Sequence, residues 1–223
     1  KPQLCWNEAT DYGLSGVAKY RVRIDSSTFE VSAPTVCYTP ATNLSQGTHS
    51  WDVAAVDAAG NIGPVSLSRT VRLDLTAPPA PEPTYPDNGM HVRENPPEFR
   101  WIMVNDIPVD GSGVCGYVVT LNGVENQVGP SANSLVWPVT VSTSTTHTWT
   151  VRAFDCAGNQ GTPSAARTLD VDVIPPSQPV ITAPLSGVWL NYAKPLISWN
   201  ASTDNYSGVC KYILSIDSNE IEL

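Results

Sequence analysis

Carboxylates and amides recur in this chain at positions from which they could converge. Asp11, Asp106 with Asp110, and Asp204 each stand shortly before a Ser-Gly-Val triplet, while Asp57 with Asn61 and Asp155 with Asn159 frame an Asp-x-Ala-Gly-Asn sequence. Calcium takes six to eight oxygen ligands, so carboxylates, an amide oxygen and loop carbonyls gathered at one end of a fold could supply a site. The same residues also suit a plainer purpose. Gly60 or Gly158 would supply a positive φ, and the Asp and Asn side chains would cap the amides of a turn. Asp74 and Asp172, just before proline-rich joints, add to the calcium case if the exit of one domain approaches the loops of the next.

Catalytic machinery is harder to assemble. His49 and His147 occupy matched positions at the start of a predicted strand, which suits a repeated edge or turn residue better than a base, and His91 stands alone. Ser15, Ser112 and Ser207 precede glycine in a turn, without a Gly-x-Ser-x-Gly elbow. Active sites are rarely copied into consecutive repeats, so the chain is expected to be non-enzymatic and to require no cofactor, with calcium the one metal to consider.

The recurrence itself sets the elements that position these residues. Trp6, Trp101 and Trp199 each lead through an Asp into Ser-Gly-Val and then Tyr20, Tyr117 or Tyr212, followed by Ile24-Asp25, Leu121-Asn122 or Ile216-Asp217. A second phrase, Thr-His-x-Trp running into Ala-x-Asp-x-Ala-Gly-Asn, occurs at residues 48–61 and 146–159. The tryptophan-to-tryptophan period of roughly 95–98 residues suits one sandwich domain rather than a short solenoid repeat. Tyr20, Val22 and Ile24 alternate with Arg21 and Arg23, as a half-buried strand requires.

The fold class read from this is all-β: tandem Greek-key sandwiches arranged as an extended rod. The domains are 1–77, lacking its strand A, then 78–175, complete, then 176–223, strands A to C′ of a third. Expected strands of the first are B at 2–7, C at 18–24, C′ at 28–31, E at 35–39, F at 49–56 and G at 65–73. In the second they are A at 82–85, B at 98–104, C at 115–121, F at 147–154 and G at 165–171; the third opens with A at 180–183. Proline-rich joints at 76–81 and 174–179 read as short stiff linkers, because proline fixes φ and restrains the residue before it.

Composition narrows the partners. A net charge of −9 argues against nucleic acid and anionic lipid, both of which need clustered Lys and Arg. No stretch is long and apolar enough to insert in a membrane. The first residue is Lys1 and no signal peptide is visible, so the chain reads as a segment of something longer.

Aligning the repeats pairs the cysteines. Cys115 and Cys156 occupy positions that are Ala18 and Ala58 in the first repeat, and in a sandwich strand C lies beside F, so a Cys115–Cys156 disulfide is predicted. On a chain-entropy argument it would restrain the unfolded state by roughly 4 kcal/mol. Cys5 and Cys37, on neighbouring strands B and E, form the second predicted bridge. Cys210 matches Cys115, and its partner is expected after Leu223, leaving it unpaired by truncation. Two bridges imply an oxidising compartment, hence an extracellular or cell-surface location.

Tryptophan on B, Asp before Ser-Gly-Val, tyrosine on C and the His-x-Trp-x-Val phrase across F resemble the bacterial immunoglobulin-like and fibronectin type III-like repeats of secreted and cell-surface proteins. The resemblance implies a seven-strand sandwich and a role as spacer, stalk or adhesin segment, or as a module beside a catalytic domain. One departure is the bridge between C and F within one sheet, where antibody-type domains join B and F.

The expected function is a non-catalytic structural or spacer segment, partnered by other domains of the same chain. Two alternatives stand beside it. One is a carbohydrate- or protein-binding accessory module, for which the unmatched Trp137 and Trp189 are the candidate contacts, with surface glycans as partner, although core packing is the plainer account of both rings. The other is a fibre subunit whose missing strands come from neighbouring subunits. Asn43, Asn200 and Asn205 open Asn-x-Ser sequons.

Overall fold

A computed structural model of the chain describes residues 1–13, 15–107 and 111–223. The described residues form eighteen strands and no helix, so no helix is long and apolar enough to cross a membrane.

In the first repeat, β1 (Leu4–Cys5) pairs with β4 (Cys37–Tyr38). Opposite them, β3 (Ser27–Ser32), β2 (Val17–Ile24), β5 (Gly47–Asp57) and β6 (Arg69–Leu73) form a four-stranded sheet in that order, all antiparallel. Alternation decides what each sheet hides: Tyr20, Val22 and Ile24 of β2 and Trp51 and Val53 of β5 pack with Leu4 into one core, while Lys19, Arg21 and Arg23 face outward.

The second repeat is a fuller version of the same plan. β7 (Glu82–Tyr85), β9 (Glu98–Ile102) and β12 (Ser134–Val136) make one sheet. The other runs β11 (Val124–Val128), β10 (Val114–Leu121), β13 (Thr146–Asp155), β14 (Arg167–Val171) and β8 (Met90–Val92), the last pair parallel. Phe99, Trp101, Tyr117, Val119, Trp149, Val151, Leu169 and Val171 fill its core. In the third repeat β15 (Val180–Ala183) pairs with β16 (Ser198–Asn200), and β17 (Ile213–Ile216) with β18 (Asn219–Glu222).

The repeated aromatics have one structural reason in all three repeats. Trp6 packs on Tyr20, Trp101 on Tyr117 and Trp199 on Tyr212 with ring centroids 5.3, 5.5 and 5.4 Å apart. Each tyrosine hydroxyl then accepts a backbone N–H from the segment after the tryptophan strand: Ala9 at 3.0 Å, Val104 at 3.0 Å and Ser202 at 2.9 Å. The pair thus ties one sheet to the chain leaving the other, and the phenol satisfies a donor that no strand partner reaches.

Two compact units partition the chain. One comprises residues 1–79 with 105–115 and 154–161; the other comprises 80–104, 116–153 and 162–223.

Candidate functional site

The Asp-x-Ala-Gly-Asn phrase closes the turn that leaves β5 and β13. Asp57 Oδ1 accepts the Asn61 backbone N–H at 2.8 Å, and the Asn61 amide donates to Asp57 Oδ2 at 2.8 Å. Asp155 repeats this with Asn159 at 2.8 and 2.7 Å and adds the Ala157 N–H at 2.9 Å. Gly60 and Gly158 sit at φ +89° and +95°, which only glycine adopts without strain. Asn61 thus spends its amide on the turn, and Asn159 also donates to Asp74 O at 2.9 Å. The bonds to Asn61 hold the Asp57 carboxyl below the usual carboxylate range.

The aspartates before Ser-Gly-Val cap their own loops. Asp11 accepts the Gly13 N–H at 2.8 Å; Asp106 accepts those of Ile107 and Gly113 at 2.9 and 2.8 Å; Asp204 accepts those of Tyr206 and Gly208 at 2.9 Å each. A further aspartate then reaches the triplet from the end of strand G. Asp74 Oδ2 accepts the Ser112 N–H at 2.6 Å while Oδ1 caps Thr76 at 3.2 Å. Asp172 does the same to Ser207 at 3.1 Å and to Ile174 at 3.0 Å. Both aspartates are held below the usual carboxylate range, Asp74 chiefly by the Ser112 N–H and Asp172 chiefly by Ser207.

At the first of these joints the carboxylates converge. Asp74, Asp106 and Asp155 each place one oxygen within 4.8 Å of the others. Asp155 is 1% and Asp106 8% exposed. Burial pushes the Asp106 carboxyl up, and the neighbouring Asp74 and Asp155 charges add to this against the Gly113 and Ile107 N–H groups. Three oxygens so placed could bridge a hard divalent cation, or two of the carboxyls could share a proton.

The other expected ligands are arranged differently. Asp11 and Asp57 meet only through Ser15 Oγ, 3.1 Å from each, and with Asn61 and Asp204 they join no such group among the described residues. Asp110 lies outside the described residues. Asp74 was the member of the cluster hardest to rank from the sequence. Its signal was its position before the proline joint, repeated at Asp172.

The remaining candidates resolve by burial. Cys5 and Cys37 are bonded and face each other in the β1–β4 register, and Cys115 is bonded to Cys156 between the neighbours β10 and β13. Cys210 is free and exposed. Trp137 follows the core-packing reading rather than the exposed-contact alternative: it is 5% exposed and meets the Phe99 ring edge-on at 6.0 Å, with its backbone N–H bonded to Pro97 O. Trp189 is 97% exposed.

Ser112 Oγ accepts the Ala157 N–H at 3.0 Å, a loop-to-loop tie. His91 lies edge-on to Tyr206 at 6.0 Å, whose hydroxyl donates to Asp170 Oδ1 at 3.3 Å. His49 and His147 are buried at the start of β5 and β13 and bond the turns that follow β2 and β10. His49 Nδ1 is 2.7 Å from Asp25 Oδ2 and His147 Nδ1 is 2.7 Å from Asn122 Nδ2. The recurrence of Asp25 and Asn122 with these histidines was a signal for the pairs that the sequence reading left unused.

No protein-family profile matches the sequence. Exoglucanase B of Cellulomonas fimi is 29% identical over 210 residues, covering 90% of this chain and 18% of that protein, so the chain spans under a fifth of its relative. Among solved structures, the fibronectin(III)-like modules of Clostridium thermocellum CbhA superpose with a TM-score of 0.50 at 15% identity, over 73% of this chain and 82% of theirs. The FN1–FN3 domains of chicken CNTN1 give 0.45 at 19% identity over 76% and 62%. Sheet order, the core and the CbhA superposition together make this an all-β chain of fibronectin type III-like sandwiches.

Proposed function

We propose that the chain is a non-catalytic spacer segment of a longer secreted or cell-surface protein, built to hold successive sandwiches at defined joints. The observation that carries this reading is the repeated bond from the aspartate at the end of strand G to the Ser-Gly-Val amide of the next repeat, Asp74 to Ser112 and Asp172 to Ser207. A joint restrained by a charge-assisted bond on a proline-rich linker orders the orientation of its neighbours. The likeness to part of an exoglucanase supports a place beside a catalytic domain, and the two disulfides support an oxidising compartment. An extended arrangement is what a spacer requires. Small-angle scattering of the chain and of an Asp74→Ala/Asp172→Ala variant tests it. A compact parent, or a variant with an unchanged distance distribution, overturns the reading.

A divalent cation at Asp74, Asp106 and Asp155 would strengthen the first joint, and the convergence of three carboxylates supports it. Calorimetric titration of calcium into chelator-treated protein should show one site lost in Asp106→Asn; no heat and an unchanged melting temperature dispose of the ion.

A carbohydrate-binding accessory role is favoured by Trp189 and Tyr192, 97% and 57% exposed, since flat aromatic faces stack on sugar rings. Retention of the parent but not of Trp189→Ala on insoluble polysaccharide would establish it, and equal elution would remove it.

A further inference from the structure

We propose that the first repeat carries a proton-operated latch between its β2–β3 turn and the start of β5, closed by the imidazolium form of His49. The second repeat carries the same latch in a form that needs no added proton.

The difference lies in what faces the two ring nitrogens. His49 Nδ1 lies 2.7 Å from Asp25 Oδ2 and Nε2 lies 2.9 Å from Ser45 O, so both nitrogens meet oxygens that can only accept. A neutral imidazole donates once, and only the doubly protonated ring satisfies both contacts. His147 Nε2 likewise meets Ser142 O at 2.8 Å, but its Nδ1 meets the Asn122 side-chain amide nitrogen at 2.7 Å. That orientation of Asn122 is fixed, because its Oδ1 accepts the Thr148 N–H at 2.9 Å and a flipped amide would leave that donor unpaired. Neutral His147 with the proton on Nε2 fulfils every contact. A second proton would point at an N–H group.

The turn residue itself is held alike in both repeats, Asp25 at φ 51° and Asn122 at φ 50°. Asp25 Oδ1 accepts the Ser50 N–H at 2.9 Å, the counterpart of the Asn122–Thr148 bond. Charge is thus the variable.

Asp25 is the charged group that His49 meets. On β6, Val71 opposes His49 and Arg72 opposes Thr48; on β2, Arg23 is paired with Asp52; Asp74 is engaged with Thr76 and Ser112; residues 44–48 carry no charge. The hydrogen bond to Asp25, followed by that to Ser45, raises the His49 pKa, and His49 lowers that of Asp25. The signs follow. The His49 contribution is fully present below the ordinary imidazole range and is lost as pH rises through its raised value; the Asp25 contribution is lost as pH falls through its lowered one. When His49 gives its proton to solvent, one of its two bonds must open.

Ser45 adjoins Gln46, whose Oε1 accepts the Thr76 hydroxyl at 2.6 Å and the Leu75 N–H at 3.4 Å. Opening the latch on that side loosens the segment that holds the first linker.

Histidine titrations by NMR on the whole chain test this, alongside hydrogen exchange at Leu75. His49 should keep its proton to a pH above the ordinary imidazole range. Asp25→Asn should abolish that upward shift, Asn122→Asp should confer one on His147, and Leu75 exchange should quicken as His49 deprotonates. Coincident titration of the two histidines in the parent, or no gain at His147 in a folded Asn122→Asp, overturns the latch. Leu75 exchange that ignores His49 overturns its link to the linker.

Discussion

The first and second repeats share every phrase of sequence yet fasten themselves at opposite places. In the first, the Cys5–Cys37 bridge joins β1 to β4, and the loops around Asp11 and Asp57 are tied by the Ser15 hydroxyl and by the Ala58 N–H to Gly16 O, with no covalent link. In the second, β7, β9 and β12 hold together without a bridge, and the disulfide has moved to Cys115–Cys156, beside the aspartates that meet Asp74. Ala18 and Ala58 mark the same two positions in the first repeat. Framework positions of this sandwich are thus interchangeable sockets.

The strongest way to break that comparison is to give the second repeat the first repeat's residues. Cys115→Ala with Cys156→Ala should cost about 4 kcal/mol from the loss of a long closed loop, read as a shift of the urea midpoint by tryptophan fluorescence. Leaving the midpoint in place would show that the neighbouring strands already align these loops. Tyr117→Phe comes next at about 1–2 kcal/mol, since the Val104 N–H loses its acceptor. Tyr20→Phe should cost a similar amount through Ala9, and a large inequality would mean that the two hydroxyls do different jobs.

Smaller and more local effects sharpen the joints. Asp74→Asn should speed exchange of the Ser112 amide and leave that of Ser207 unchanged, and Asp172→Asn should do the reverse. In the parent both amides should be protected above the ordinary carboxylate range and lose protection as pH falls through the lowered pKa values of Asp74 and Asp172. Asp106 has the opposite sign: its raised pKa means that its ionisation opposes folding as pH rises through that value. Trp189→Ala should change stability by less than about 0.5 kcal/mol, because the ring is already in water.

Much of this was legible in the residues. Repetition marked where strands and turns fall: β2 lies where the alternation of Tyr20, Val22 and Ile24 with Arg21 and Arg23 puts it, β10 lies at the matching place around Tyr117, and β7 and β15 span residues 82–85 and 180–183 as read. Comparing repeats also paired Cys115 with Cys156, because a covalent pair must change at both positions together, while the neighbouring strands B and E paired Cys5 with Cys37. Trp137 was less fully legible. Core packing was the plainer reading of it, but with no counterpart in the first repeat nothing in the pattern named Phe99 as the ring it meets. The Asp74 cluster and the His49 latch were the hardest to see. They join residues from segments 24 to 81 positions apart, and side-chain direction at a turn, rather than strand period, decides whether such groups meet.

The Cys115–Cys156 bridge has a mechanical consequence. A spacer under tension lengthens when a sandwich unravels, and a fully stretched chain gains about 3.4 Å per residue. The bridge withholds the 41-residue span it closes, roughly 140 Å of slack at that spacing. Pulled from its ends, the second repeat would pay out only the segments flanking its cysteines. The shared C and F strands would stay within a covalent loop, placed to refold when the force falls.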